Sequence, residues 1–467
     1  MVAMAAPEKL SGIVTSFLDV VHDRLITDTR GAVADYIPQL AEADPNLFGI
    51  ALCGLNGHVY ESGDTDVDFT VQSASKPFVY SLALDDRGLD AVHARVGAEP
   101  SGEAFNSVKL EAGTGRPPNP MVNAGAIVTT SLVRGESSEE RFARILARLS
   151  AFAGRDLSVD EAVFDSERES GDRNRALAYL MHSAGSLAAP VTETLDTYFR
   201  QCSVLVTARD LAVMGATLSN GGVNPVTNER VTSAETCQHV MTIMATCGMY
   251  DYAGEWLLRA GLPAKSGVAG GLVASSPGEF GLGLFSPRLD ASGASVRGVV
   301  AAQRLATRFG LHVLHRPLTL SAAEVTAAND ELAAGLGAEQ DAAATQILQQ
   351  NADDLAVWRL RGYIDFDGAE RLLLNLDAWL DARPADRDSP AVIVLDLTEV
   401  TQLQSVAMWM LAALASWCRE RGMRVIASDP LGRSLGVAGL SQTADFDGAM
   451  RDAAATAGVG QEDEETP

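Results

Sequence analysis

"QSASKPF", residues 72–78, places Ser73 three positions before Lys76 and follows at once with Pro77. Two readings share this string. In one, a serine caps a helix whose first turn accommodates proline, because its hydroxyl accepts a bond from a free backbone N–H. In the other, Ser73 and Lys76 lie on one helix face within hydrogen-bonding reach, and the lysine takes the serine's proton. The partial positive charge of a helix N-terminus lowers a lysine pKa and favours an oxyanion beside Ser73. Upstream, "LFGIALCGLNGHVYESGD" (47–64) carries two apolar runs around Asn56-Gly57, the mark of a hairpin. "DFTV" (68–71) then runs as an extended segment directly into the serine. Strand, turn and helix in that order make a mount for a nucleophile.

Extended patterns recur far downstream. After "GLPAKSGVAGGLVASSP" (261–277), the runs "EFGLGLFSP" and "ASVRGVV" read as extended and "AAQRLATRFGL" as helix. Between about residues 80 and 250 the pattern is helical, broken by "GRPPNPMVNAGAI" and "SERESGDRNRA". Strands at both ends with helices between them imply one sheet closed by distant segments, plus an inserted helical lobe. Residues 319–352, rich in Ala, Gln and acidic side chains, read as a linker. Beyond it, "LAVWRLRGYID" (extended), "GAERLLLNLDAWLDA" (helix), "AVIVLDL" (buried strand), "SVAMWMLAALASWCRERG" (helix), "RVIASD" (extended) and a last helix near "GRSLGVAGL" make a small α/β domain over 353–456. An acidic tail, 457–467, follows.

Composition narrows the function. At 467 residues the chain is long enough for two or three domains. A net charge of −25 repels nucleic acid phosphates and anionic lipid. No apolar run approaches the roughly 20 residues of a membrane span, and the N-terminus lacks the basic and apolar pattern of a secretory signal. Cys53, Cys202, Cys237, Cys247 and Cys418 are scattered, as reduced buried thiols are, and the histidines include no HExxH pair. A cytoplasmic protein without a metal or cofactor is expected. Basic residues are lopsided: four lysines, Lys9, Lys76, Lys109 and Lys265, stand against 32 arginines (36 minus 4). Arginine keeps its proton near neutral pH whereas a desolvated lysine can lose it, so each lysine is a pointer to chemistry. Lys265 opens "KSG". A Ser-x-x-Lys followed by Lys-[Ser/Thr]-Gly is the paired signature of serine β-lactamases and penicillin-binding proteins. The plain alternative for KSG is the glycine-rich start of a strand with an exposed lysine.

The intervening strings carry a closer likeness. "VADYIPQLAEADPNLFGIALC", "FTVQSASKPF", "PSGEAFNS", "PPNPMVNAGAI", "SERESGDRNRALAYL", "TYFRQCSVLVTARDLAVMGATLSNGG", "CGMYDYAGEW" and "GLPAKSGVAGG", in this order, resemble the serine-dependent glutaminases, a family of β-lactamase-like fold, over about residues 10–310. The resemblance implies that Ser73 attacks the glutamine side-chain amide with Lys76 as general base, and that Tyr250 helps pass a proton to departing ammonia. It implies that Tyr36, Asn123, Glu167, Asn174 and Tyr198 bind the substrate, and that Val268 and Ser73 supply oxyanion N–H groups. A desolvated amino acid needs a carboxylate for its ammonium and donors for its own carboxylate, which these side chains provide. By spacing alone, Glu167 and Asn174 share a helix face, Asn123 is a turn residue and the three tyrosines are packing residues.

Residues 353–456 resemble a STAS domain through "VWRLRGYIDFDGAERL", "AVIVLDLTEVTQLQSVAMWML" and "MRVIASDP". In that family a serine at the start of the helix after the central strand is a phosphorylation site. Ser405 holds roughly that place, but Gln404-Ser405-Val406 lacks Asp-Ser-Gly-like surroundings and favours a helix cap. The expected architecture is therefore α/β (α+β): a β-lactamase-like domain with an antiparallel sheet and helical lobe over 1–318, a linker, and a STAS domain. The expected activity is hydrolysis of L-glutamine by a homo-oligomer, tetramer or dimer, with a regulatory protein or ligand at the STAS domain. A β-lactamase or peptidase of the same fold and a catalytically lapsed glutamine sensor are the other readings.

Overall fold

Gly57 takes φ +83° in the turn that joins β1 (Gly49–Gly54) to β2 (Val59–Gly63), and the two strands pair antiparallel with Leu52 opposite Tyr60. This is the hairpin that Asn56-Gly57 announces. The computed structural model describes residues 9–10, 12–102, 110–314, 324–327, 354–383, 391–434 and 437–456. They fall into two compact units, one of Leu18–Thr307 with Leu311–Arg316, the other of residues up to Phe17, Arg308–Gly310 and those from Pro317 on.

In the larger unit, β3 (Phe69–Thr70) pairs with β4 (Leu205–Val206), apart from the main sheet. β5 (Ala264–Ser266), β6 (Gly271–Ser276) and β7 (Phe280–Phe285) complete that main sheet in the antiparallel order β2-β1-β7-β6-β5. Early and late segments meet where β1 pairs with β7. Before and around the sheet run α1 (Gly12–Leu25), α2 (Pro38–Ala41), α3 (Lys76–Arg87) and α4 (Leu89–His93). The lobe adds α5 (Asn123–Leu132), α6 (Ser138–Ala153), α7 (Glu161–Ser170), α8 (Asp172–Ser183), α9 (Val191–Cys202), α10 (Ala208–Ser219) and α11 (Ala234–Cys247). α12 (Ala253–Arg259) and α13 (Val296–Phe309) follow.

α10 ties lobe to sheet. Thr207 and Asp210 close its first turn reciprocally: the Thr207 hydroxyl accepts from Asp210 N–H at 3.1 Å while the Asp210 carboxylate accepts from Thr207 N–H at 2.8 Å. Its small residues Ala208, Ala212 and Ala216 let the helix lie directly on β7, where a Cβ on Gly281 would run into Ala216 N and Ala212 O, and one on Gly283 into Ala208 O. The apolar lobe then packs as one cluster that includes Phe78, Ile127, Phe152 and Leu211.

The run "ASVRGVV", expected as extended, is helical from Val296. Ser295 Oγ accepts from Gly298 N–H at 3.2 Å, and the buried Val299, Ala302, Leu305, Ala306 and Phe309 recur at helical spacing. Cap and periodicity outweigh the strand preference of the valines.

The second unit holds β8 (Glu324–Ala327), β9 (Leu355–Ile364), β10 (Val392–Leu403), β11 (Arg424–Ser428) and β12 (Ser441–Thr443), in the order β12-β11-β10-β9-β8. Pairing is parallel except for β8, which lies within the stretch read as a linker. α14 (Phe366–Ala382), α15 (Ser405–Glu420) and α16 (Phe446–Thr456) accompany the sheet, and Ala449, Met450 and Ala453 pack on Leu355, Val357, Val392, Val394 and Ile426. The last helix is thus α16. The described residues of "GRSLGVAGL" form turns, because Asp429 accepts from the Arg433 and Ser434 backbone and Gly432 and Gly439 take φ of +64° and +85°. Ser405 is the exposed first residue of α15, whose N-cap is Gln404 and carries no side-chain cap bond, so the expected serine cap is not formed. The acidic tail lies outside the described residues. The antiparallel sheet, helical lobe and C-terminal α/β domain are those expected.

Gly283→Ala is expected to lower unfolding free energy by about 1–3 kcal/mol, since the α10 backbone at Ala208 O and Ala212 N, which cannot turn aside, stands in the way of its Cβ. Gly254→Ala, facing open space on α12, is expected to be neutral or stabilising by up to about 1 kcal/mol. Urea denaturation of the two variants checks the contrast.

Candidate active site

β3 delivers the chain to a single 3-10 turn, Gln72–Ser75, and α3 begins directly after it with Pro77 in its first turn. Ser73 therefore sits in the turn rather than at the cap of α3, where Ser75 stands without a side-chain cap bond. The turn is held from behind. Ser75 Oγ donates to Gln72 O at 2.7 Å and accepts from Gln201 Nε2 at 3.0 Å, and Gln201 Oε1 accepts from Thr130 at 3.0 Å. Gln72 is forced to φ +47°. In front, the exit of β5 crosses the turn so closely that a Cβ on Gly267 would lie 2.9 Å from Val71 O. Val268 follows there, and among the described residues neither its N–H nor that of Ser73 has a protein acceptor.

Tyr250 enters from the turn after α11, at φ +57°. Its hydroxyl neighbours Ser73, close enough for the serine to ease its ionisation against the effect of burial. Three non-glycine residues among those described have positive φ, and two of them, Gln72 and Tyr250, flank Ser73. Each costs on the order of 1–3 kcal/mol, a strain that rigid surroundings sustain.

Lys76 is 1% exposed. Its Nζ donates to Asn123 Oδ1 at 2.7 Å and Met121 O at 3.1 Å, and lies 3.5 Å from the Tyr250 hydroxyl. Burial, with no carboxylate partner among the described residues, brings its pKa down to about 7. This desolvation, rather than the helix N-terminus, is the cause. Lys265, also fully buried, donates to Ser266 O at 2.6 Å and stands 3.8 Å from the Tyr250 ring centroid. Burial, and then Lys76, hold its pKa well below the usual lysine range. The exposed lysine of the plain KSG reading is not found.

Asn123, the first residue of α5, passes the network on by donating from Nδ2 to Asn174 Oδ1 on α8 at 3.1 Å. Glu167 on α7 is 6% exposed and accepts from Tyr36 at 2.7 Å and Gln72 Nε2 at 3.1 Å. Its burial raises its pKa against these two bonds. The Tyr36 ring is 49% exposed, yet its hydroxyl end is enclosed against Glu167, and its pKa is raised by that burial first and by the carboxylate second. Tyr198 on α9 is fully buried beside Cys202 one turn later, and its pKa is raised well above the usual phenol range by that burial first and by Cys202, Tyr250 and Glu167 after it. Burial pushes the Cys202 thiol to about 12.

These elements thus gather a hydroxyl, a depressed amine, a phenol beside both, a buried carboxylate and amide groups. The Glutaminase family model matches residues 31–314, and the STAS domain model matches residues 346–436. The chain belongs to the glutaminase family. It is 56% identical over 294 residues to a glutaminase of Clavibacter michiganensis, covering 62% of this chain and 90% of the relative. With Glutaminase 1 of Bradyrhizobium diazoefficiens it shares 46% identity over 386 residues, 82% of this chain, but it spans 61% of that relative's length. The solved structure of Mglu in its glutamate form is 38% identical, with a TM-score of 0.65 over 89% of this chain and 98% of its own.

Of the residues singled out from the glutaminase resemblance, Tyr250, Lys76, Asn123 and Asn174 form one hydrogen-bonded series beside Ser73, Tyr36 and Glu167 are bonded to each other and to Gln72, and Tyr198 and Val268 lie nearby. Gln72 and Cys202 were not foreseen. Cys202 was legible, since a residue four after Tyr198 on a helix shares its face. The Gln72 contact depends on a left-handed backbone that nothing in its side chain demands.

Lys76 sets a stability test. Its amine loses its proton near pH 7 in the folded protein and near 10.5 when unfolded, so between these values the unfolded chain holds the extra proton and stability rises with pH. Lys76→Met is expected to remove up to about 1.4 kcal/mol of that rise per pH unit. Urea unfolding of both proteins at about pH 7.5 and about 8.5 measures the difference.

Proposed function

We propose that this glutaminase-family chain hydrolyses L-glutamine to L-glutamate and ammonia through an ester of Ser73. The observation that carries the reading is the buried Lys76 amine, hydrogen-bonded to Asn123 and Met121, 3.5 Å from the Tyr250 hydroxyl that neighbours Ser73, and poised near pH 7. A free amine of this pKa is matched to accept a proton at neutral pH.

In the first half-reaction Ser73 Oγ bonds to the side-chain amide carbon as its proton passes, directly or through the Tyr250 hydroxyl, to Lys76. The carbonyl oxygen takes up negative charge in front of the Ser73 and Val268 N–H groups, placed to donate to it. The C–N bond then breaks. The leaving nitrogen gains the proton from Lys76 through Tyr250 and departs as ammonia. Water repeats the sequence on the γ-glutamyl ester: Lys76 accepts its proton, the ester C–O bond breaks, and Ser73 regains a proton as glutamate leaves. Glu167 opposes the substrate's ammonium, while Tyr36, Asn123, Asn174 and Tyr198 supply hydrogen bonds to its head group and amide. Asn and Tyr donors fit a neutral amide better than a second carboxylate only with an acceptor facing its NH2, a task for Asn123 or Asn174 oxygen. The glutamate form of Mglu supports a glutamate-shaped site in a relative of the same fold.

The five cysteines are free thiols and buried, which supports the cytoplasmic setting expected of the chain. Among the described residues no helix is long and apolar enough to cross a membrane. The STAS domain, residues 353–456 in this reading, is assigned a regulatory or partner-binding role, and the enzyme a homo-oligomeric state.

Ser73→Ala is expected to lower ammonia release from glutamine by more than about a thousandfold with the circular dichroism spectrum unchanged. For the wild type, kcat/KM is expected to rise tenfold per pH unit up to a limit no higher than about 7, the value that burial alone sets for Lys76, and then level off, because the base works as the free amine. Nitrocefin turnover comparable to glutamine turnover would instead favour a β-lactamase, and glutamine binding without ammonia release a sensor.

A further inference from the structure

Lys265 takes no part in the steps above, yet it is fully buried against the same phenol as Lys76. Among the described residues no carboxylate pairs with either amine. Two ammonium groups in one desolvated pocket repel each other strongly, so the pair is confined to a single proton near neutral pH. We propose that Lys265 is a positioning residue that carries this proton over the face of Tyr250, leaving Lys76 a free amine with its lone pair toward the Tyr250 hydroxyl.

The donor count at each nitrogen separates the two. A neutral amine has two N–H groups and one lone pair. Lys76 meets two carbonyl oxygens, Met121 O at 3.1 Å and Asn123 Oδ1 at 2.7 Å, which use both N–H groups. Its remaining neighbour, the Tyr250 hydroxyl at 3.5 Å, can donate to the lone pair. Lys265 has a carbonyl on one side, Ser266 O at 2.6 Å, and on the other the aromatic ring, its Nζ 3.8 Å from the centroid. The negative face of the ring attracts only the charged form. Lys76 lies 5.5 Å from that centroid, too near the ring edge to gain as much. Burial depresses both amines, Lys265 the more; the ring face 3.8 Å from Lys265 Nζ opposes this at Lys265, and in the arrangement proposed it reverses the order.

The titratable surroundings do not offer another explanation. Against β5 and the lysine pair, α3 contributes Lys76, the turn after α11 contributes Tyr250, and α9 contributes Cys202, whose thiol stays protonated. Glu167 acts on this group through Cys202 and Tyr198 but is bonded to Tyr36 and Gln72. Cys247, at the end of α11, turns its thiol to Ala98 O, and β6 and the 3-10 turn carry no titratable residue.

The kinetic arm of the test rests on Lys76 being the base for glutamine hydrolysis. The pH dependence of kcat/KM is compared for wild type, K265M and K265R. K265M is expected to move the acid limb up by about one pH unit or more, because Lys76 then takes the proton itself, while K265R, permanently charged, holds the limb at or below that of the wild type. A K265M limb that does not move overturns the proposal, whatever the maximal rate. A second arm needs no turnover and no change at Lys265. In K9R/K109R protein labelled with 13C at lysine Cε, two signals remain of the four lysines. One charged and one neutral amine near pH 7.5 supports the shared proton; two alike overturn it. Loss of glutamine hydrolysis in the wild type would therefore sink the catalytic reading without deciding the proton assignment.

Discussion

Two buried lysine amines, with no carboxylate among the described residues to neutralise either, set the terms for the rest of the larger unit. A buried ammonium is costly enough that the group either gives up its proton or finds a compensating field. Lys76 and Lys265 are kept in that condition by elements from distant parts of the chain: α3, the loop ahead of α5, the turn after α11 and β5. Bringing the two amines together requires the sheet to be built from both ends of the unit, since Ser73 precedes α3 and Lys265 lies on β5, the edge strand that the late segments add. A folded core and a poised amine are in this sense one achievement.

The strain beside Ser73 belongs to the same account. Gln72 and Tyr250 both hold left-handed backbone conformations on opposite sides of the serine. Their cost is carried by groups that have no place in the chemistry: Ser75, Gln201 and Thr130 behind the turn, Gly248 pressed to Ala264 O beside Tyr250, and Gly267 crossing over the turn in front. Such supports hold the Ser73 backbone in place, as the proposed attack on an amide demands. They also explain why the helix is not capped by Ser73. A serine occupied in capping would have its hydroxyl turned to the backbone, whereas this one is turned to Tyr250.

Much of this was legible in the sequence because it rests on local signals. Asn56-Gly57 encodes the hairpin, Pro77 the first turn of α3, and the scarcity of lysine in an arginine-rich chain pointed to Lys76 and Lys265 before any coordinates. What escaped was decided by context. The valines of "ASVRGVV" carry a strand preference that Ser295 overrides by capping a helix, and "GRSLGVAGL" looks helical until Asp429 folds it into a turn. The Gln72 contact to Glu167 follows from a backbone angle, and the depression of Lys76 from its burial; neither quantity is written in a local string.

The central claim is that Ser73 bonds covalently to the substrate while Lys76 holds its proton, and partitioning of the intermediate tests it most directly. In the presence of hydroxylamine, a γ-glutamyl ester yields γ-glutamyl hydroxamate at the expense of glutamate while ammonia release continues at an undiminished rate, and Ser73→Ala forms neither product. Glutamate as the sole acyl product at every hydroxylamine concentration, with ammonia and glutamate always equal, would mean that water attacks the amide directly and would contradict the account.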